Sequence, residues 1–173
     1  MILEIGVIVK DRGKEFEGIF SDAVKEIMTT GYQVDIQRLY DVIGKKTINQ
    51  PADFMCYKKP NEIYVECKST NKPYFSYYSQ PQYTRLIDKS KIDGVKAGML
   101  VWYVQDKRVF WFDIDFLTEY YASTSIKSLS IKKIDMLLQD KTTGLYEVEQ
   151  VTVRVKPKMS IDKFFDYVSG VIK

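Results

Sequence analysis

Residues 49–70 read NQPADFMCYKKPNEIYVECKST. Two alternating runs, Ala52–Lys58 and Glu62–Lys68, flank Pro60-Asn61, which is the pattern of a β-hairpin. Centring the turn on Pro60-Asn61 pairs Asp53 with Lys68 and Met55 with Glu66. Glu66 then lies diagonally from Asp53 on one face, about 7–8 Å away and within reach of a shared cation. The other face collects Phe54, Cys56, Ile63, Val65 and Cys67, all apolar. An odd-length loop would exchange the two faces, so the register carries the expectation. On this reading an acid–acid–lysine trio sits on the non-core face beside Met55, Tyr57 and Tyr64. The plain alternative is a solvated face with one Asp–Lys pair, worth about 0.2–1 kcal/mol. Against it, the loop and helix that follow are placed to cover this face, and a covered acid pair needs a compensating cation.

Composition narrows the chemistry. The chain has 173 residues, 45% hydrophobic and 14% aromatic, which predicts one folded domain with a sizeable core. It contains no histidine, so Ser-His and Cys-His nucleophile pairs and His-based metal sites are excluded. Acid–base or metal chemistry must then use carboxylates, lysine, tyrosine or main-chain groups, and a bound metal would be a hard ion such as magnesium or manganese. Cys56 and Cys67 have no metal-ligand spacing and read as small buried hydrophobes in a reducing setting. No run approaches the ~20 apolar residues of a membrane span. The opening MILEIGVIVK lacks a signal peptide's basic cluster and cleavage site. A cytoplasmic protein is expected. The net charge of +3 neither demands nor forbids nucleic acid, and the excess falls in residues 124–173.

From Glu15 to Thr29 the apolar residues Phe16, Ile19, Phe20, Ala23, Val24, Ile27 and Met28 form one helical stripe ended by Gly31, with Glu17 at its edge. A strand is predicted at Gln33–Leu39, and 40–51 reads as a loop. After the hairpin come an aromatic loop, STNKPYFSYYS, and a helix with Pro81 in its first turn, ended by Gly94. Ala97–Val104 and Val109–Asp113 read as buried strands, and DFLTEYYAS as a short helix. Beyond 123 the pattern predicts a helix near Ile131–Leu138, one alternating strand in YEVEQVTVRV, and a last helix after Pro157.

Pro51-Ala52-Asp53 followed by Glu66-Cys67-Lys68 resembles the motif of the PD-(D/E)xK nucleases. The order of elements matches their αβββαβ core, so the resemblance implies a restriction-endonuclease-like α/β fold, a mixed sheet flanked by helices. It covers about residues 10–120; residues 1–123 are expected as the nuclease core and 124–173 as a small C-terminal α+β appendage. It further implies that Asp53, Glu66 and the Cys67 main-chain carbonyl hold Mg2+, with Mn2+ able to substitute. Lys68 would orient the attacking water, and Glu17 would complete the metal site. Within that superfamily, RGKEFEGIF, IQRLYD, PADF, YVECKS, Gln82-Tyr83 and KAGMLVWY resemble RecU-type Holliday junction resolvases. Those carry a long stalk between the first two strands, and here only Tyr40–Pro51 stands in its place.

The resemblance implies a magnesium-dependent endonuclease nicking four-way junctions as a homodimer, in a bacterial cell or phage-infected host, without a membrane or nucleotide cofactor. Gln82 is a candidate for contact with the water or a phosphate, or else a plain first-turn residue. Arg38, Lys45, Lys46, Lys72 and Arg85 are candidates for the DNA backbone; singly, each reads as a surface charge. The loop Tyr74-Phe75-Ser76-Tyr77-Tyr78 could stack on bases, form a dimer contact or pack into the core. Two alternatives stay open: a restriction-like or repair nuclease cutting duplex or flapped DNA, and a non-cleaving DNA-binding protein with the same fold.

Overall fold

The structure, a computed structural model, describes residues 11–40, 50–153 and 156–172. Helix α1 spans Arg12–Thr29, followed by strands β1 (Asp35–Arg38), β2 (Phe54–Lys58) and β3 (Asn61–Thr70). After a two-residue strand, β4 (Tyr74–Phe75), come α2 (Tyr83–Ser90), β5 (Val95–Tyr103), β6 (Arg108–Asp113) and α3 (Ile114–Thr124). The remainder holds β7 (Leu129–Ser130), α4 (Ile131–Gln139), β8 (Leu145–Val148), β9 (Gln150–Val153), β10 (Lys156–Met159) and α5 (Ile161–Val168).

The main sheet has six strands in the order β1-β2-β3-β5-β6-β8. Only β3 and β5 run parallel; the other neighbours are antiparallel. A parallel pair needs a crossover, and the segment containing α2 supplies it. The expected α-β-β-β-α-β order is therefore present in a mixed sheet flanked by helices.

Both faces of that sheet are buried. On one, α1 and α5 pack Phe16, Phe20, Phe164 and Phe165 against Phe54, Val65, Leu100 and Trp111. On the other, α2, α3 and α4 cover Tyr64, Met99, Val101, Phe110 and Phe112 with Leu86, Leu117 and Ile134. Burial on both sides explains the unbroken apolar run of β5, as strands without a wet face do not alternate. The hairpin face expected to be non-core thus carries a second core. Gly98 in β5 is required by this packing: a Cβ there would lie 2.5 Å from the Trp111 ring.

Helix α1 begins three residues before the predicted start because Asp11 caps it, accepting from the Gly13 and Lys14 N–H groups at 3.1 and 3.3 Å. It ends at Gly31, whose φ of 86° is accessible to glycine at low cost. Pro81 stands in the turn ahead of α2 rather than in its first turn, and Gln82 is the N-cap. The described part of YEVEQVTVRV, residues 146–153, lies in two strands, not one: β8 joins the main sheet, whereas β9 pairs with β10.

Residue 123 does not mark a packing boundary. β8 pairs with β6 through Val109–Val148 to Phe112–Leu145, and Met159, Ile161, Phe164, Phe165 and Val168 belong to the α1-side core. Two long-range polar links reinforce this. Tyr32 Oη donates to Asp166 Oδ1 at 2.5 Å, and Arg108 grips Glu147 with two bonds of 2.7 Å while reaching Asp135 at 2.8 Å. The segment expected as an appendage is integral to the cores because it supplies one edge strand and the helix that covers Phe20.

Candidate active site

The hairpin register differs from the one predicted. Phe54 pairs with Val65 and Lys58 with Asn61, so the two turn residues are Lys59 and Pro60. Extended by one step beyond the end of β2, that register would set Asp53 opposite Glu66, where Lys68 was expected. The shift moves the pairing by two positions, an even number, so each side chain keeps its predicted face. The acids therefore stand closer together than the diagonal arrangement would have put them.

β2 stops at Phe54, which leaves the β3 edge at Glu66-Cys67-Lys68 without a strand beside it. Asp53 occupies that opening: its Oδ2 accepts from the Cys67 N–H at 2.8 Å. The N–H and C=O of one residue leave an extended strand on the same side, so the Cys67 carbonyl faces the edge that Asp53 occupies. The Lys68 ammonium lies 2.6 Å from Glu66 Oε1. Glu66 is 1% exposed, and neither of its carboxylate oxygens receives a hydrogen bond of good geometry among the described residues. The expected Asp53–Lys68 pair is thus replaced by a Glu66–Lys68 pair, a consequence of the register.

Glu17 reaches the same place from α1. It is ion-paired with Arg38, whose guanidinium also lies 5.6 Å from the Phe54 ring centroid and 5.6 Å from that of Tyr40. Burial raises the Glu17 carboxyl, the Asp53 charge raises it further, and Arg38 and Lys68 oppose the rise. Asp53 is raised by burial, against the Cys67 N–H and the charges of Lys68 and Arg38. Glu66 is pushed up to about 7, first by burial and then by Asp53. Three acids and two cations share one field, and the acids are short of compensation.

The predicted candidates separate into groups. Asp53, Glu66, the Cys67 backbone, Lys68 and Glu17 come together. Arg38, expected as a DNA contact, is the counter-ion of Glu17 because β1 sets it beside Phe54, next to Asp53. Gln82 caps α2 with its amide oxygen buried and without a hydrogen bond among the described residues. Arg85 is half-buried and donates to the Gln50 carbonyl at 3.1 Å, tying α2 to the segment just before Asp53. Lys72 lies beside the Tyr74 ring, 5.5 Å from its centroid. Lys45 and Lys46 fall outside the described residues. In the aromatic loop, Phe75 and Tyr77 are core, whereas Tyr74 and Tyr78 are exposed. The cap at Asp11 and the Arg85–Gln50 tether had no sequence signal beyond an acid before a helix and a basic residue within one.

A divalent ion is the group the motif implies. Among the described residues no three acidic or thiol side chains converge closely enough to cage a metal by themselves. Two carboxylates and a main-chain carbonyl nonetheless form a hard-oxygen donor set, in which Glu66 Oε1 faces the Lys68 ammonium and Oε2 is buried without a hydrogen bond among the described residues. The residues fit the ion.

No protein-family model and no curated protein sequence matches the chain. Among solved structures, Hjc of Archaeoglobus fulgidus, a Holliday junction resolvase from an archaeal hyperthermophile, has a similar chain trace. The match covers 60% of this chain and 78% of that one at 17% identity, with a TM-score of 0.41. At that score the likeness says nothing about function. No helix among the described residues is long and apolar enough to cross a membrane.

Proposed function

We propose that the protein is a metal-dependent DNA endonuclease of the PD-(D/E)xK type that nicks branched DNA, four-way junctions first among them. The observation that carries the reading is the buried Glu66 carboxylate beside the half-buried Asp53, with Lys68 next to them at an unpaired strand edge. Structural ion pairs pay for burial with full hydrogen bonding, and Glu66 lacks it. A spent scaffold would have no use for such a charge deficit.

Asp53, Glu66 and the Cys67 carbonyl would hold magnesium or manganese, with Glu17 as a further carboxylate. When bound, the ion polarises the phosphate and lowers the pKa of a water. Lys68, whose ammonium lies 2.6 Å from Glu66, would hold the attacking water and offset charge developing on the phosphate. The Cys67 N–H keeps one Asp53 oxygen fixed, so the other is presented in a single orientation. Arg38, paired with Glu17, would offset that carboxylate's repulsion of the phosphate.

The junction preference rests on the resemblance of RGKEFEGIF, PADF and YVECKS to RecU-type resolvases, and so does the homodimer. Two sites related by a two-fold axis would nick opposing strands symmetrically. Residues 1–123 then supply the catalytic groups, and 124–173 complete the fold around them. The test is a competition between an end-labelled four-way junction and a duplex of matched sequence, with magnesium. Junction cutting at least tenfold faster, in paired nicks on opposing strands, is expected; equal cutting would retain the nuclease and refute the resolvase.

A further inference from the structure

Beside the acid pair lies a cavity of about 550 Å³ lined by Leu39, Gln50, Pro51, Tyr64, Arg85, Asp88, Lys89 and Ile92. It adjoins the site through the chain itself. Pro51 lies two residues before Asp53, and Tyr64 precedes Glu66 by two on the same face of β3. Its volume accommodates a single nucleotide but not a duplex.

The wall has two characters. Leu39, Pro51 and Ile92 are apolar, and Ile92 is 51% exposed, so its side chain is accessible from the cavity. Arg85 and Lys89 stand four residues apart on α2 and so share one face of the helix. The Arg85 guanidinium has five N–H donors, and the Gln50 carbonyl takes one of them. The Lys89 ammonium lies 4.6 Å from the Tyr64 ring centroid. Asp88, the acid on this wall, is paired with Lys91 at 2.9 Å, which leaves the cavity with a basic balance.

We infer that this cavity is a nucleotide subsite, in which Arg85 and Lys89 hold a backbone phosphate while Leu39, Pro51 and Ile92 carry the base next to the scissile bond. The inference rests on the nuclease reading. A base on an apolar shelf with its phosphate on two cations a helical turn apart gives a strand a fixed register relative to Asp53 and Glu66. Backbone neutralisation alone would leave the strand free to slide.

The experiment pairs a protein change with a DNA change. Four-way junctions carrying one abasic position, moved stepwise past the cleavage site, are bound in calcium, which suppresses cutting. The wild type should lose about tenfold in affinity at one flanking position and little elsewhere. Lys89→Gln should lower the slope of log affinity against log salt by about one. Ile92→Ser should bind intact DNA about tenfold more weakly and no longer distinguish the abasic position. Lys89 and Ile92 are the informative variants because Arg85 also tethers Gln50. A flat abasic scan, or a penalty that persists undiminished in Ile92→Ser, overturns the subsite. If instead the wild type cuts no DNA with magnesium or manganese, the nuclease reading itself has failed.

Discussion

Replacing Glu66 by glutamine should stabilise the metal-free protein above neutral pH. In the unfolded chain Glu66 ionises near 4.5, and in the fold it is pushed up to about 7. Between those values the folded state keeps a proton that the unfolded chain has released. Glu66 therefore costs no stability below the lower value, costs progressively more as pH rises, and reaches its full cost above about 7. A gap of that size corresponds to at most about 3 kcal/mol. Lys68 and the partial relaxation of a buried site reduce it, and about 1–2 kcal/mol is the working magnitude. Glutamine has nearly the same shape without the charge, and Lys68, being partly exposed, loses little with its partner. Asp113 is also raised, to about 6, but contributes equally to both proteins. Urea unfolding in EDTA from about pH 5 to about pH 8.5 should show wild-type stability falling and the Glu66→Gln profile flatter. Magnesium should restore the wild type at high pH and leave the variant unchanged. Parallel profiles with no difference at any pH would refute the idea of an uncompensated buried acid.

Other outcomes follow from the packing. Gly98→Ala forces a methyl group against Trp111 and the Phe112 carbonyl, so it should destabilise by at least about 2 kcal/mol, read as a fall in Tm or loss of soluble protein. A chain stopped after Thr124 removes β8 and α5 and exposes Phe20 and Trp111; a soluble, cooperatively melting fragment would contradict the shared cores. Arg108→Met breaks its bonds to Glu147 and Asp135 and should cost about 1–2 kcal/mol, with a double-mutant cycle against Glu147→Gln showing coupling of about 1 kcal/mol.

The hairpin and the shared face of its two acids are legible because alternation survives an even register error. Placing the turn at Pro60-Asn61 mispaired Asp53 with Lys68, yet both acids stayed on one face. What alternation cannot report is coverage: Tyr64 and Met55 looked like one side of a half-wet sheet, and only α2, α3 and α4 packed above them show a second core. The order of the core elements was readable from the α1 stripe and the apolar run of β5. The packing of residues beyond 123 is not legible locally because the partners of Phe164, Phe165 and Val148 lie far back in the chain, on α1 and β6. Arg38 and Arg85 carry no local sign of their roles; a counter-ion to Glu17 and a tether to Gln50 exist only once β1, α1 and α2 are assembled.

The direct test of Asp53, Glu66 and Lys68 as a cutting centre is cleavage of an end-labelled four-way junction by the wild type and by Asp53→Asn, each with magnesium, with manganese and with EDTA. Nicks from the wild type in either metal, lost in EDTA and in a folded Asp53→Asn variant that still binds the junction, are predicted. A junction that is bound but never cut in either metal, or is cut equally well by Asp53→Asn, would contradict it and leave Glu66 and Lys68 as an ion pair of the sheet.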